Sequence, residues 1–118
     1  MIVEAGEALR AALLENLPRG TLVRFDPPTP SWLAEPRPRP TVHLFLFEIH
    51  ADEELRYLVT ARAEDVEREH ELLDRTLIAL KSVTEPVVRL ADPGGGQLWS
   101  ALGMPARAAF VIAVGSPG

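Results

Sequence analysis

Apolar residues recur at three-to-four spacing at the start of the chain. Ile2, Ala5, Leu9, Ala12, Leu13 and Leu17 fall on one side of a helix, which predicts a helix over residues 2–17, with Pro18 and Gly20 as its stop. Gly6 lies inside that pattern and costs ~1 kcal/mol against alanine, so its turn is expected to be loose or packed tightly against a neighbour. The period then changes. TLVRF, residues 21–25, is β-branched and aromatic between turn residues and predicts a strand. TVHLFLFEIH, residues 41–50, is apolar on both alternating sets: Val42, Leu44 and Leu46 on one, Phe45, Phe47 and Ile49 on the other. It predicts a strand covered on both faces. After a turn over residues 51–54, LRYLVTA at 55–61 runs back as the second half of a hairpin.

Helical spacing returns over residues 64–83, with Val66, Leu73, Leu77 and Leu80 on one side. Glu64, Asp65 and Glu67 stand in the first turn and Lys81 near the end, matching the helix dipole. PVVRL at 86–90 and ARAAFVIAV at 106–114 predict two more strands, separated by a mobile ADPGGG turn and by one or two helical turns over 97–102 that Gly103 stops. The expected order is α-β-β-β-α-β-α-β. That describes an α+β (mixed α/β) fold: one domain over residues 1–118, a mixed sheet of about five strands, two main helices and one short one.

Two stretches stand outside the periodic pattern. Residues 26–40 hold six of the eleven prolines, which excludes a central strand or an unbroken helix and predicts a long semi-rigid loop. Trp32 and Leu33 lie in its middle, and Arg37 and Arg39 near its end. Loops beyond ~12 residues without structure of their own are commonly functional or disordered, so a surface connector and an assembly contact both stand open here. Residues 91–105 form a Gly-rich loop and short helix carrying Leu98 and Trp99. Two readings of Trp99 stand open: it caps the end of the core beneath the glycine turn, or it anchors a subunit boundary, where tryptophan is enriched. Trp32, Leu33, Arg37, Arg39, Leu98 and Trp99 are the candidate assembly residues.

Composition narrows the partners. The chain has 118 residues, 47% hydrophobic and 25% charged, the profile of an ordinary globular domain, and its apolar runs fall short of the roughly 20 residues of a membrane span. Its start, MIVEAGEALR, puts acids where a signal peptide carries basic residues, so folding in the cytoplasm is expected. With no cysteine there is no disulfide and no thiolate chemistry. A net charge of −5 argues against nonspecific nucleic-acid binding, leaving protein as the expected partner.

The search for chemistry yields little. Glu67 and His70 form a Glu-x-x-His pair on one helix side, but a di-iron site needs a second copy that the chain lacks. His43 and His50 are seven apart on a strand, so they point to opposite faces and do not chelate together. Gly94, Gly95 and Gly96 are followed by Gln97 and Leu98, not by the lysine and hydroxyl residue of a phosphate loop. Ser100 lacks the glycine two residues earlier of a nucleophile elbow. Asp52, Glu53 and Glu54 read as a solvated turn. The expectation is a protein without catalytic activity, cofactor or metal.

Four stretches taken in order carry a resemblance. "VRFDPP", "PTVHLFLFEI", "LRYLVTARAEDVEREHELLDRTLIAL" and "LWSALGMPARAAFVIAV", after an N-terminal helix beginning MI, together resemble the cap or tail-terminator proteins of bacterial extracellular contractile injection systems. These are the phage-tail-like particles of the antifeeding-prophage and virulence-cassette type. The resemblance covers most of the chain, and its most specific parts are YLVTA at 57–61, Glu69-His70-x-Leu72-Leu73, and LWSALG at 98–103. It implies a structural protein: a homohexameric ring on the end of the inner tube far from the baseplate, ending tube growth and fastening the last sheath layer. The partners implied are further copies of the chain, the tube protein and the sheath protein. The family carries a longer insertion where residues 51–54 stand here, and its members commonly extend beyond the position of Gly118. The alternatives are the tail terminator of a phage, and a monomeric binding module or small enzyme on a similar fold.

Overall fold

The structure is a computed structural model that describes residues 1–36, 39–91 and 96–115. The first helix, α1 (Ile2–Asn16), buries Ala5, Leu9 and Leu13, with Leu17 buried just beyond its end. Four-residue spacing puts these on one stripe. Ile2, expected on that stripe, is 40% exposed, and the buried stripe begins with Ala5. Gly6 faces the Phe25 ring, where an added Cβ would stand 3.7 Å from the ring, so its turn is the packed kind rather than the loose kind.

The strands β1 (Leu22–Arg24), β2 (Thr41–Ile49), β3 (Leu55–Arg62), β4 (Val87–Leu90) and β5 (Ala109–Gly115) form one mixed sheet in the order β1-β2-β3-β5-β4. β1 runs parallel to β2, and the other neighbours are antiparallel. β2 and β3 are the expected hairpin, with a register shift between Leu46 and Glu48 that leaves Phe47 as the extra residue of a bulge. The last strand inserts between β3 and β4, so β4 sits at an edge and β3 takes the centre between β2 and β5.

The second long helix, α3 (Val66–Lys81), is capped by Asp65, whose carboxylate accepts the N–H of Arg68 at 2.8 Å. Leu72, Thr76, Ala79 and Leu80 are its buried side, Leu73 and Leu77 are half-buried, and Val66 is 64% exposed. The buried stripe is rotated from the expected one. Ala79 and Thr76 are small enough to let the helix sit close to the sheet, and the hydroxyl of Thr76 is satisfied by the carbonyl of Leu72 at 2.7 Å.

Both long helices cover one face of the sheet, over Val42, Leu44, Tyr57, Val59, Ile112 and Val114. The opposite face carries a second cluster: Trp32, Leu58, Ala91, Trp99, Met104, Val111 and Ala113 are buried there together. Two short helices roof it. One is α4 (Leu98–Ala101), on the expected site of a short helix. Gly103, at φ +68°, reverses the chain after it so that the N–H of Met104 reaches the carbonyl of Trp99 at 3.0 Å. The other is α2 (Pro30–Ala34), inside the segment expected to be all loop. Thr29 caps it by accepting the N–H of Trp32 at 3.2 Å, and Pro30 takes the first helical position, where its missing N–H costs nothing. Proline therefore starts this helix instead of forbidding it. The fold class is α+β as expected, with two short helices in place of one. The glycine run lies outside the described residues except for Gly96.

Candidate assembly surfaces

Trp32 and Trp99 are both 4% exposed, one on each roof helix. A buried tryptophan removes ~150–250 Å² from water, worth roughly 4–6 kcal/mol each as an upper figure before ordering entropy. Leu33 and Leu98 are half-buried against the same cluster. Arg39 is exposed and donates from Nη2 to the carbonyl of Gly20 at 3.1 Å. Arg37 lies outside the described residues. Leu33 and Leu98 thus join the tryptophan cluster, while Arg39 lies just before β2.

What pins Trp32 is a set of polar groups not singled out from the sequence. Arg62 donates from Nη1 to the carbonyls of Trp32 and Glu35 at 2.8 and 3.0 Å, satisfying the C-terminal end of α2. The guanidinium of Arg107 stands 5.4 Å from the centroid of the Trp32 ring and donates to Glu69 Oε1 and to the carbonyl of Ala61, each at 2.9 Å. His43 packs edge-to-face with the indole at 4.2 Å between centroids. Its Nδ1 lies 2.9 Å from the carbonyl oxygen of Asp26. A carbonyl only accepts, so Nδ1 carries the proton and Nε2 is the lone-pair nitrogen, buried with no hydrogen-bond partner among the described residues. Burial holds this imidazole below its ordinary pKa of 6.5, against the opposing pull of Asp26. The signals existed in the sequence, since His43 shares its alternation with Phe45 and Arg62 ends a strand, but no local pattern says that these three elements meet.

The two histidines of this stretch sit in different settings. His43 is in the tryptophan cluster, and His50 follows the strand and pairs with Glu48 at its rim. His70 is exposed on α3. Among the described residues no group of three or more His, Asp and Glu side chains is arranged to hold a metal ion, and no helix is long and apolar enough to cross a membrane.

Three open grooves mark the helix-covered face and its ends. One, about 670 Å³, runs between Pro18, Pro40 and Ala63 and α3, where Arg68, Leu72 and Arg75 line it. Glu64 and Glu71 line it as well, and Arg68 is occupied by Glu64 and Asp65. A second, about 360 Å³, lies at the far end of the same sheet, between the start of α1 and the starts of β3 and β4. It is lined by Glu4, Glu53 and Glu85 over Leu55 and Val114. A third, about 340 Å³, is a shallow apolar trough of Ile2, Val3, Phe25, Leu46 and Tyr57 along α1. One end of the molecule is thus acidic, while the other carries Arg19 and Arg39 beside a groove of balanced charge.

No protein-family model matches the chain, and no curated protein matches it. A solved structure does: a PVC sheath/tube terminator of an extracellular contractile injection system, determined by cryo-electron microscopy in the extended state. The two superpose with a TM-score of 0.75 over 100% of this chain at 18% sequence identity, and the chain spans 60% of the length of that solved chain. The resemblance read from the four sequence stretches is therefore matched in three dimensions, and this chain has the fold of that sheath/tube terminator.

Proposed function

We propose that the chain is a structural cap, a tail terminator that ends the inner tube and sheath of a contractile injection system as a homohexameric ring. The observation that carries this is the superposition of the whole chain on a sheath/tube terminator with a TM-score of 0.75. The polar contacts around Trp32 support a structural role: His43, Arg62, Arg107 and Glu69 hold α2 and its tryptophan in place. On this reading the partners are neighbouring copies, the tube protein and the sheath protein, the chain is no enzyme and needs no cofactor, and it folds in the cytoplasm before joining the particle. The test is the length distribution of particles, measured by electron microscopy, from cells lacking the gene and from cells with it restored. Overlong, ragged or missing tubes in the deletion alone are expected. Uniform particles of normal length without the protein would overturn the terminator role.

A further inference from the structure

The β2–β3 turn and the 670 Å³ groove sit at opposite ends of one hairpin. β2 enters the sheet after Pro40, which lines the groove, and β3 leaves it before Ala63, which lines the groove too. At the far end the chain turns through Ala51, Asp52 and Glu53, all exposed. Nine residues of strand separate the two features by roughly 30 Å, so one chain cannot bring them together.

The turn is held in a defined shape. The N–H of His50 donates to the carbonyl of Glu54 at 2.8 Å, and the N–H of Glu53 to the carbonyl of His50 at 2.9 Å. The carboxylate of Asp52 accepts the N–H of Glu54 at 3.1 Å. Glu53 itself adopts φ +68°. The carboxylates of Asp52 and Glu53 make no ion pair among the described residues, and Ile49 beside them is 54% exposed.

The groove has the complementary character. Its floor is Pro18, Pro40, Ala63 and Leu72. The charges of Glu64, Arg68, Glu71 and Arg75 along it cancel, and Arg19 and Arg39 stand next to Pro18 and Pro40, joined across the rim by the Arg39–Gly20 hydrogen bond. Two positive charges are thus in excess in a chain whose net charge is −5. Arg19, Arg39 and Arg75 form no ion pair among the described residues. At about 670 Å³ the groove falls within the roughly 300–1,000 Å³ of ordinary binding clefts.

Resting on the ring reading above, we infer that the occupant of this groove is the β2–β3 turn of a second copy, with Asp52 and Glu53 set against Arg75, Arg19 and Arg39 and Ile49 laid on the apolar floor. A contact between two different patches is heterologous. Each copy then offers one turn and one groove, and the set is satisfied only when the ring closes. Electrostatic complementarity sets the register, and the apolar floor adds area.

The chain has no cysteine, so Glu53→Cys and Arg75→Cys place two unique thiols on exposed positions of turn and groove. The double variant, treated with a short bis-maleimide both free in solution and on assembled particles, is expected to give a covalent ladder past the dimer. An equimolar mixture of the two single variants stops at the dimer. Arg75→Glu is expected to raise the concentration needed for ring formation at least tenfold, and Glu53→Arg in the same chain to restore it. Rings seen by sedimentation or at tube ends, but with no product beyond the dimer from the double variant, would overturn this seat and leave the ring reading standing. Absence of any ring, in solution and at tube ends alike, would overturn both.

Discussion

His43 lies between Trp32 and the carbonyl of Asp26 with Nε2 buried and unpartnered among the described residues. Its charged form has no compensating acceptor at that nitrogen. Because burial lowers the pKa in the folded state, the unfolded chain takes up a proton first as pH falls below the ordinary value of 6.5. Stability from this group is complete above that value and is lost as pH falls from there toward the lowered folded-state pKa. The charges that face the ring are Asp26 and Glu35, which favour protonation, and Arg24, which opposes it. Urea midpoints measured between pH 7.5 and 5.5 should therefore fall for the wild type and fall less for His43→Leu. Equal slopes would show that the imidazole takes its proton in the folded state without cost. From the sequence, His43 was one of two strand histidines excluded as a metal pair, and only the packing of α2 against β2 makes it a buried group. Trp99 is the opposite case. Two leucines and a tryptophan after a glycine run had to press on something, and the structure places that contact within the protomer, where Trp99 is 4% exposed.

Among the elements, α2 depends most on contacts outside itself. Five residues are far below the length at which a helix holds alone, so its two ends must be satisfied by other parts of the chain. Thr29 does so at the start and Arg62 at the finish, across a sequence separation of about thirty residues. Arg62→Met leaves the carbonyls of Trp32 and Glu35 without that donor and should lower stability by about 1–3 kcal/mol, the range for losing one partner of a buried polar group. Amide exchange across residues 30–35 should rise with it. Asp65→Ala, by contrast, removes a single cap from a sixteen-residue helix packed on the sheet, for a loss of about 1 kcal/mol with no change in α2. A larger effect at Asp65 than at Arg62 would reverse this ranking. The segment 26–40 was legible as stiff and as carrying a large ring. Its helical turn was not, because proline density argues against helices except at the first position, and only the cap geometry shows that Pro30 occupies it.

Across the whole molecule the two faces of the sheet are held unequally. Two helices of fifteen and sixteen residues cover one face, and helices of five and four residues roof the other. Local opening follows the element with the fewest independent contacts. The amides of Leu33, Leu102 and Met104 should exchange well before those at the centre of β3, and α4 should lose protection in denaturant too mild to expose α3. Simultaneous loss would mean that both faces open as one unit. The acidic end and the arginine-bearing end of the molecule carry the assembly reading at this scale, and exposed charge pairs across such a contact weaken as salt shortens their range.

Hydrophobic periodicity was enough to give the sheet strands, the two long helices and the α+β class, since side-chain alternation and the 3.6-residue repeat are local properties of the backbone. The absence of cysteine excluded disulfides outright, and the ordered stretches carried a resemblance that the fold superposition bears out. Strand order lay beyond it: β5 enters between β3 and β4 through pairings between segments distant in sequence. The rotation of α3, which buries Leu72 and Thr76 and exposes Val66, was decided by how close small residues let it approach the sheet. The polar hold on Trp32 joins His43, Arg62, Glu69 and Arg107, residues from two strands, one connection and one helix that no spacing rule unites. Local chemistry determines which elements form, and only their packing decides which side chains become neighbours.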